Sequence, residues 1–484
     1  MNPFDRFKIA VSLFFVWCVF TQFSCDKKKS TPSGGSATHG TPVFYWTTTD
    51  ARTQLLQQAA TPLSFGSTAN NFVTIHIDFA KTFQTIDGFG YSLTGGSALL
   101  LNRMSVANRA AVLNELFGSS GNSIGVSYLR ISIGASDLDS AVFSYHDQPV
   151  GQTDVTLTNF NIAPERQNLI PVLKEILAIN PSLKIMGSPW SAPVWMKDNN
   201  SSVGGSLRPE YYPVYAQYLV KYIQAMQAEG ISIDAITPQN EPLHGGNNPS
   251  MVMTAVQQAD FIKNHLGPAF RAANITTKII VYDHNCDRPD YPITILNDPA
   301  AKAFVTGSAF HLYAGDVSAL SQVRDAHPDK EIHFTEQWTG ANSSFDGDLK
   351  WHIRNVIIGT MRNWSRTALE WNLASDPQFK PHTPGGCNQC KGALTINGNM
   401  VERNVSYYVI AHASKFVPPG SVRIESTSTG AASLPHVAFK TPTGKKVLLV
   451  LNDNNSNASF NIKINGVWAT ANLTGNTVGT FQWN

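Results

Sequence analysis

Charge is scarce in this chain of 484 residues: 36 Lys and Arg against 34 Asp and Glu, together 14%. The formal net charge of +2 and the lack of any basic stripe or basic-aromatic repeat argue against nucleic acid as the main partner. Long apolar runs are missing as well. Ile9 to Phe20 is the candidate, and it is too short for a comfortable membrane span of about 20 residues. Cysteine is sparse, at five. Cys387 and Cys390 form a C-x-x-C in a Gly/Pro-rich stretch, but no second C-x-x-C or Cys/His pair exists to complete a zinc site. No βαβ pattern surrounds it, which tells against a thioredoxin-like role. In an exported chain the pair reads as a local disulfide, and Cys286 is left unpaired. A Gly-rich phosphate loop is absent too. Gly88-Phe-Gly90 lacks its third Gly at the right spacing and opens no helix, which weighs against a doubly wound sheet.

What the chain has is length and core. At 42% hydrophobic residues, it can build one large barrel domain and a small accessory one. Ten Trp and 14 Tyr suit stacking on sugar rings and suit a large core equally. Residues 1–25 read as a targeting segment, with Arg6 and Lys8 ahead of the apolar run, which also contains Cys18. Gln22-Phe-Ser-Cys25 resembles a bacterial lipoprotein box, although an aliphatic residue is usual where Gln22 stands. An ordinary cleaved signal peptide is the alternative. The Ser/Gly/Lys/Thr stretch 26–42 has nothing to bury and reads as a flexible tether. The expectation is an exported protein, lipid-anchored through Cys25 at the outer membrane, periplasm or surface of a bacterium.

From residue 84 to 418 strand-like runs alternate with helical ones. The expected strands are Ile86–Leu93, Ser127–Ile133, Lys184–Ser188, Ala235–Gln239, Lys278–Tyr282, Gly307–Leu312, Glu331–Thr335 and Ala368–Asn372. Helices are expected over Glu165–Ile179, from Pro213 to Gly230, and over Thr254–Leu266, the last stopped by Gly267-Pro268. Eight strands alternating with helices predict a (β/α)8 TIM barrel. After Pro418-Pro419-Gly420 the period changes to two, over Val422–Glu425, His436–Lys440, Lys446–Leu451, Ser459–Ile464 and Thr480–Trp483. This segment, 419–484, is expected to join the N-terminal strands of 43–83, such as Phe72–Asp78, in a small β-sandwich beside the barrel.

Catalytic groups of such a barrel sit where its strands end. The fourth strand runs into Thr237-Pro-Gln-Asn-Glu241-Pro and the seventh into Phe334-Thr-Glu336-Gln-Trp338. Two strand-end carboxyls facing each other across the mouth suit glycoside hydrolysis. One must protonate the leaving oxygen and the other must be ionised to attack the anomeric carbon. A separation of about 5–5.5 Å would imply retention through a covalent glycosyl-enzyme.

The chain resembles glycoside hydrolase family 30, which includes lysosomal glucosylceramidase and microbial β-1,6-glucanases. The resemblance is carried by Asp87-Gly-Phe-Gly90, Leu129-Arg-Ile-Ser-Ile-Gly134, Ser188-Pro-Trp-Ser-Ala-Pro-Val-Trp195, Thr237–Pro242, Phe310-His-Leu-Tyr313, Phe334-Thr-Glu336 and Trp371-Asn-Leu-Ala374. It implies Glu241 as acid/base and Glu336 as nucleophile, with no metal and no cofactor. It further implies that Asn240 bonds the sugar 2-hydroxyl, that Arg130 and Tyr313 hold the charge of Glu336, and that His311 lines the site. Trp190 and Trp371 would wall the sugar pocket.

One departure bears on the substrate. The glucosylceramidase branch reads Gly-Phe-Gly-Gly-Ala-Phe-Thr-Asp, its Asp binding glucose hydroxyls, whereas this chain reads Gly88-Phe-Gly-Tyr-Ser-Leu-Thr-Gly95. Gly95 is expected to remove those hydrogen bonds and open space. The expected activity is hydrolysis of β-glucosidic bonds, with a β-1,6-glucan or other β-glucoside as partner. The alternatives are a glucosylceramidase, a β-glucosidase or β-xylosidase-like activity, or a carbohydrate-binding protein on an inactive barrel.

Overall fold

The structure is a computed structural model and describes residues 37–429 and 434–484; the targeting segment and Cys25 lie outside them. Eight parallel strands close a barrel: Gly88–Ser92, Tyr128–Ser132, Lys184–Ser188, Ala235–Ile236, Lys278–Cys286, Val305–Gly315, Glu331–Glu336 and Ser365–Asn372. These are the eight that the sequence pattern locates. Tyr128, Met186, Ala235, Ile280, Ala309 and Leu369 pack together inside the barrel and plug it, so chemistry is confined to its rims. Gly90 is required where it stands, because a Cβ there would overlap the Tyr128 carbonyl of the adjoining strand.

Helices cover the barrel. Leu169–Ile179 buries Leu169, Val172, Leu173 and Ile176, the stripe expected of it, after a short 3-10 turn at Ala163–Arg166. Tyr212–Ala228 follows with Pro213 in its first turn, where the missing N–H costs no helix bond. The third expected helix starts as read, with Thr254 and Gln257 forming a capping box. Its end is a correction. Gly267-Pro268 does not stop it; the helix passes through a π-type segment, Ile262–Leu266, and continues over Gly267–Ala272. The wider π turn accommodates the ring of Pro268, which a regular α turn would not.

The second unit is a sheet of ten strands folded into a sandwich. Pro42–Thr49 pairs with the C-terminal strand Thr477–Trp483, and Val73–Thr85 pairs with Val422–Thr429. Its own core includes Val43, Phe65, Ile75, Phe460, Phe481 and Trp483. Buried His412, on the barrel's last helix, bonds Thr48 and Thr480 at 2.8 and 2.9 Å and so ties the two units together. No helix among the described residues is long and apolar enough to cross a membrane.

Candidate active site

Regular strands would send alternate side chains to opposite faces. At the C-terminal rim three strands break that alternation. The register slips by one residue at Asp283, at Thr335 and at Trp371. Such bulges re-aim side chains, and here they turn Asp283, Glu336 and Trp371 toward the barrel mouth. Backbone strain concentrates beside them: Tyr282, Asp283 and Glu241 have φ of 76°, 64° and 45°, unusual for residues with a Cβ. The Glu241 N–H donates to the Asp283 carbonyl at 3.0 Å, which fixes that bend.

Asp283 is the hub. Its Oδ2 accepts from Arg130 Nη2 (2.8 Å), Thr237 Oγ1 (2.8 Å) and Ser188 Oγ (3.0 Å), and its Oδ1 from Thr335 Oγ1 (2.7 Å) and His311 Nε2 (3.1 Å). Burial alone would raise its pKa, but Arg130 and His311 outweigh burial and hold this carboxyl far below the usual range. Arg130 is fully buried beneath Trp190, whose ring centroid is 4.8 Å from its guanidinium carbon. Its Nη1 donates to Glu336 Oε2 and its Nη2 to Asn240 Oδ1, both at 2.6 Å. Tyr313 Oη donates to Glu336 Oε1 at 2.9 Å. Asn240 therefore keeps its Nδ2 for the pocket.

Glu241 and Glu336 each place a carboxylate oxygen within 4.8 Å of the other's. His311 sits between them, Nδ1 lying 3.4 Å from Glu241 Oε1 and 3.7 Å from Glu336 Oε1. Burial disfavours charge on this ring, yet Glu336, Asp283 and Glu241 overcome it and lift its pKa to about 9. Burial also pushes both glutamates up. For Glu241 the contact and charge of His311, aided by His284, turn the balance and leave it lowered; Glu336 stays raised despite His311 and Arg130. His311 thus holds its proton at hydrogen-bonding reach of Glu241. Glu241, His311 and Glu336 stand close enough to suggest a cation site, but both oxygens of Glu336 already accept from Arg130 and Tyr313, and His311 Nε2 faces Asp283.

Above the pair opens a cavity of about 280 Å³ lined by Asp137, Trp190, Asn240, Glu241, Asn247, Tyr313, Glu336, Trp338, Trp371, Cys387 and Cys390. Trp190 and Trp371 stack at 5.3 Å along one wall. Cys387 and Cys390 are bonded to each other, and their loop forms part of the rim; Cys286 is free and buried. The structure therefore brings together every site residue expected from the sequence within the described region. His311 differs in detail, since it is wholly buried behind the two carboxyls.

Gly95 is a correction. The space expected there is filled, because a Cβ on Gly95 would overlap the carboxylate of buried Asp139. Gly95 also borders a different cavity, with Leu99, Asp139, Phe143 and Glu165. Sequence reading missed Asp283, Asp137, Asn247 and Trp338. Trp338 stands two residues beyond Glu336, and Asp283 one residue beyond the expected end of its strand.

The parallel barrel, the strand-end carboxyls and their close approach define a retaining O-glycosyl hydrolase. An inverting pair stands about 6.5–9.5 Å apart to admit water. Residues 86–417 match the glycosyl hydrolase family 30 TIM-barrel domain and residues 420–481 the family's beta sandwich domain. The chain belongs to glycosyl hydrolase family 30. It is similar to an endo-1,6-beta-D-glucanase of Neurospora crassa, 35% identical over 85% of this chain and 88% of that one. A putative glucosylceramidase 2 of Caenorhabditis elegans is 32% identical over 80% and 78%. Among solved structures, the endo-beta1,6-glucanase BT3312 superposes with a TM-score of 0.83 at 36% identity, covering 91% of this chain and 99% of its own.

Proposed function

We propose that the protein is a retaining β-1,6-glucanase with Glu336 as nucleophile and Glu241 as acid/base. The observation that carries the substrate is the similarity, over most of both chains, to the Neurospora crassa endo-1,6-beta-D-glucanase and to the endo-beta1,6-glucanase BT3312. Hydrogen bonding supports these roles: Glu336 receives two donors within 2.9 Å, which favour its ionised form against the burial that raises it, whereas the side-chain contacts of Glu241 begin at 3.4 Å. As sugar covers the pair, the proton on His311 passes to Glu241. Glu336 attacks the anomeric carbon, the glycosidic C–O bond breaks, and the departing oxygen takes the proton of Glu241. Water then yields a proton to Glu241 and displaces Glu336.

Glu336→Ala is expected to remove turnover, by at least about 10⁴-fold. Glu241→Ala retains more activity on glycosides with activated leaving groups, which need no proton, and with azide yields a β-glycosyl azide. An α-azide would reverse the roles. Digestion of β-1,6-, β-1,3- and β-1,4-glucans, xylan and glucosylceramide, followed by mass, tests the substrate. Glucosylceramide or xylan as the best substrate would overturn the glucanase reading. We also propose that Cys25 is acylated and tethers the enzyme to a membrane. Cys25→Ser should then release it from the membrane fraction, and a mature wild-type N-terminus beyond Cys25 would refute the anchor.

A further inference from the structure

Away from the catalytic mouth, the flank of the barrel holds a cavity of about 590 Å³, larger than the 280 Å³ above the glutamate pair. It opens where helices Val106–Phe117 and Val405–Ser414 meet the sandwich strand Pro42–Thr49 and the short strand Gln57–Gln58 paired with it. The sandwich side is fastened in place. Leu56, with φ of 50°, donates its N–H to Thr48 Oγ1 at 2.8 Å, and that hydroxyl meets His412. Trp46 packs on Phe416 at 4.6 Å and stays half-buried, and Leu55 beside it is 38% exposed. The charged groups are already engaged. Arg403 forks onto both oxygens of Glu115, which also accepts from Tyr407 Oη at 2.6 Å. Lys415 Nζ donates to the carbonyls of Gly121 and Ser123 at 2.7 and 2.8 Å. What is left open is neutral. Among the described residues, the exposed side-chain amides of Gln58 and Asn122 bond nothing in the protein.

Binding sites are typically concave, about 300–1,000 Å³ in volume, and lined by apolar groups with a few placed polar ones. The lining here narrows the ligand. An acidic chain would want free cations, and Arg403 and Lys415 are both engaged. A purely apolar ligand would strip water from Gln58 and Asn122 and give nothing back. An uncharged sugar chain meets both demands, with ring C–H faces for Trp46 and Leu55 and hydroxyls for the two amides. The cavity also leads toward the chemistry. Arg403 lines a smaller cavity together with Phe345 and Lys391, and Lys391 follows Cys390 of the catalytic rim. We propose that the flank cavity is a second, non-catalytic binding site for a neutral β-glucan, holding one stretch of polymer while another lies in the catalytic mouth. That the glycan is a glucan rests on the function proposed above; that it is uncharged rests on the cavity.

The test separates polymer from single sugar. Trp46→Ala, and Gln58→Ala combined with Asn122→Ala, are compared with wild type on a β-1,6-glucan polymer and on an aryl β-glucoside, with unfolding temperatures recorded. A second site raises the effective concentration of a long chain at the catalytic mouth and does nothing for one sugar. Each variant should therefore raise KM for the polymer on the order of 5- to 10-fold at unchanged kcat, and leave kcat/KM for the aryl glucoside within about 1.5-fold. Equal losses on both substrates would make the cavity a structural joint, and no loss on the polymer would leave it without a ligand; either overturns the proposal. Should Trp46→Ala fail to fold, the double variant, whose side chains are exposed, carries the comparison. Binding is read directly by electrophoresis of Glu336→Gln through gels holding β-1,6-glucan, β-1,3-glucan, xylan or dextran sulfate, with and without the flank substitutions. These should weaken retardation by β-1,6-glucan at least about threefold. Retardation by dextran sulfate alone, lost in Lys415→Met, would make this an anion site and overturn the proposal. If the weakened retardation is instead by β-1,3-glucan or xylan, and that polymer is the one cleaved, the 1,6 reading falls and the second site stands.

Discussion

Both rims of the barrel are built from ion pairs, and they differ in water. At the N-terminal rim Asp87 takes Arg366 at 2.8 Å and Lys184 at 3.2 Å, and Lys278 holds Glu331 at 2.8 Å. The cations there are 24 to 36% exposed. At the C-terminal rim the side chains of Arg130 and Asp283 are 0% exposed. Water screens the first network and not the second, so similar charges stabilise at one end and can drive chemistry at the other. Asp87, Glu331 and His333 also stand close enough to suggest a metal site, but their partners show a structural clamp.

Apart from loss of a catalytic glutamate itself, the largest effect should come from unbalancing the dry rim. Asp283→Asn keeps the shape and removes the charge that Arg130 and His311 face. Turnover should fall on the order of 100- to 1,000-fold, because both Glu336 and Glu241 then meet altered neighbours. Stability should fall by about 3 kcal/mol, as a buried charge loses its partner. Steady-state kinetics and denaturant unfolding on one preparation check both. A fully active Asp283→Asn would mean that the hub is scaffolding alone.

The wet rim should respond in the opposite proportion. Arg366→Met leaves Asp87 to Lys184 and nearby water. The expected cost is about 1–2 kcal/mol of stability, with kcat/KM within about twofold of wild type. A large kinetic loss without unfolding would show that the two rims are coupled through the barrel, and the contrast would fail.

The dry rim was legible only in part. Strand count and the two glutamates were legible because alternating strands and helices, then strand ends, are periodic features. Asp283 was not, because the strand was read as ending at Tyr282 whereas it continues to Cys286 through a bulge with left-handed backbone. The fourth strand was overread, since Pro238 has no N–H to donate and pairing stops at Ile236. One sandwich strand, Val467–Leu473, was missed although its signal was present. Asn465-Gly466 has φ of 47° and 82°, the turn that joins it to Ala458–Ile464. Asp137 lies in a loop whose meaning depends on a disulfide loop some 250 residues later, and no local pattern reports that.

The smallest effect sharpens the comparison by separating dryness from pairing. Asp283 is buried with a cation and its pKa falls. Among the described residues Glu165 is buried with no cation, its carboxyl receives only the Tyr145 hydroxyl at 2.7 Å, and it faces Asp139. Burial, then the charge of Asp139, push it from 4.5 up to about 8. The sign follows from proton counting. Between these two values the folded chain keeps a proton that the unfolded chain has lost, so stability falls as pH rises through this window. The slope for one such group is at most about 1.4 kcal/mol per pH unit. Glu165→Gln is neutral in both states and can still accept from Tyr145. Its unfolding temperature should therefore decline less steeply than that of wild type between pH 5 and 8, and the two curves should meet near the acid end. Asp139 and Asp137, raised to about 6 and about 7, leave a residual decline of the same sign in the variant. Parallel curves would mean that Glu165 is ionised in the fold, and that burial without a cation does not suffice here to hold a proton.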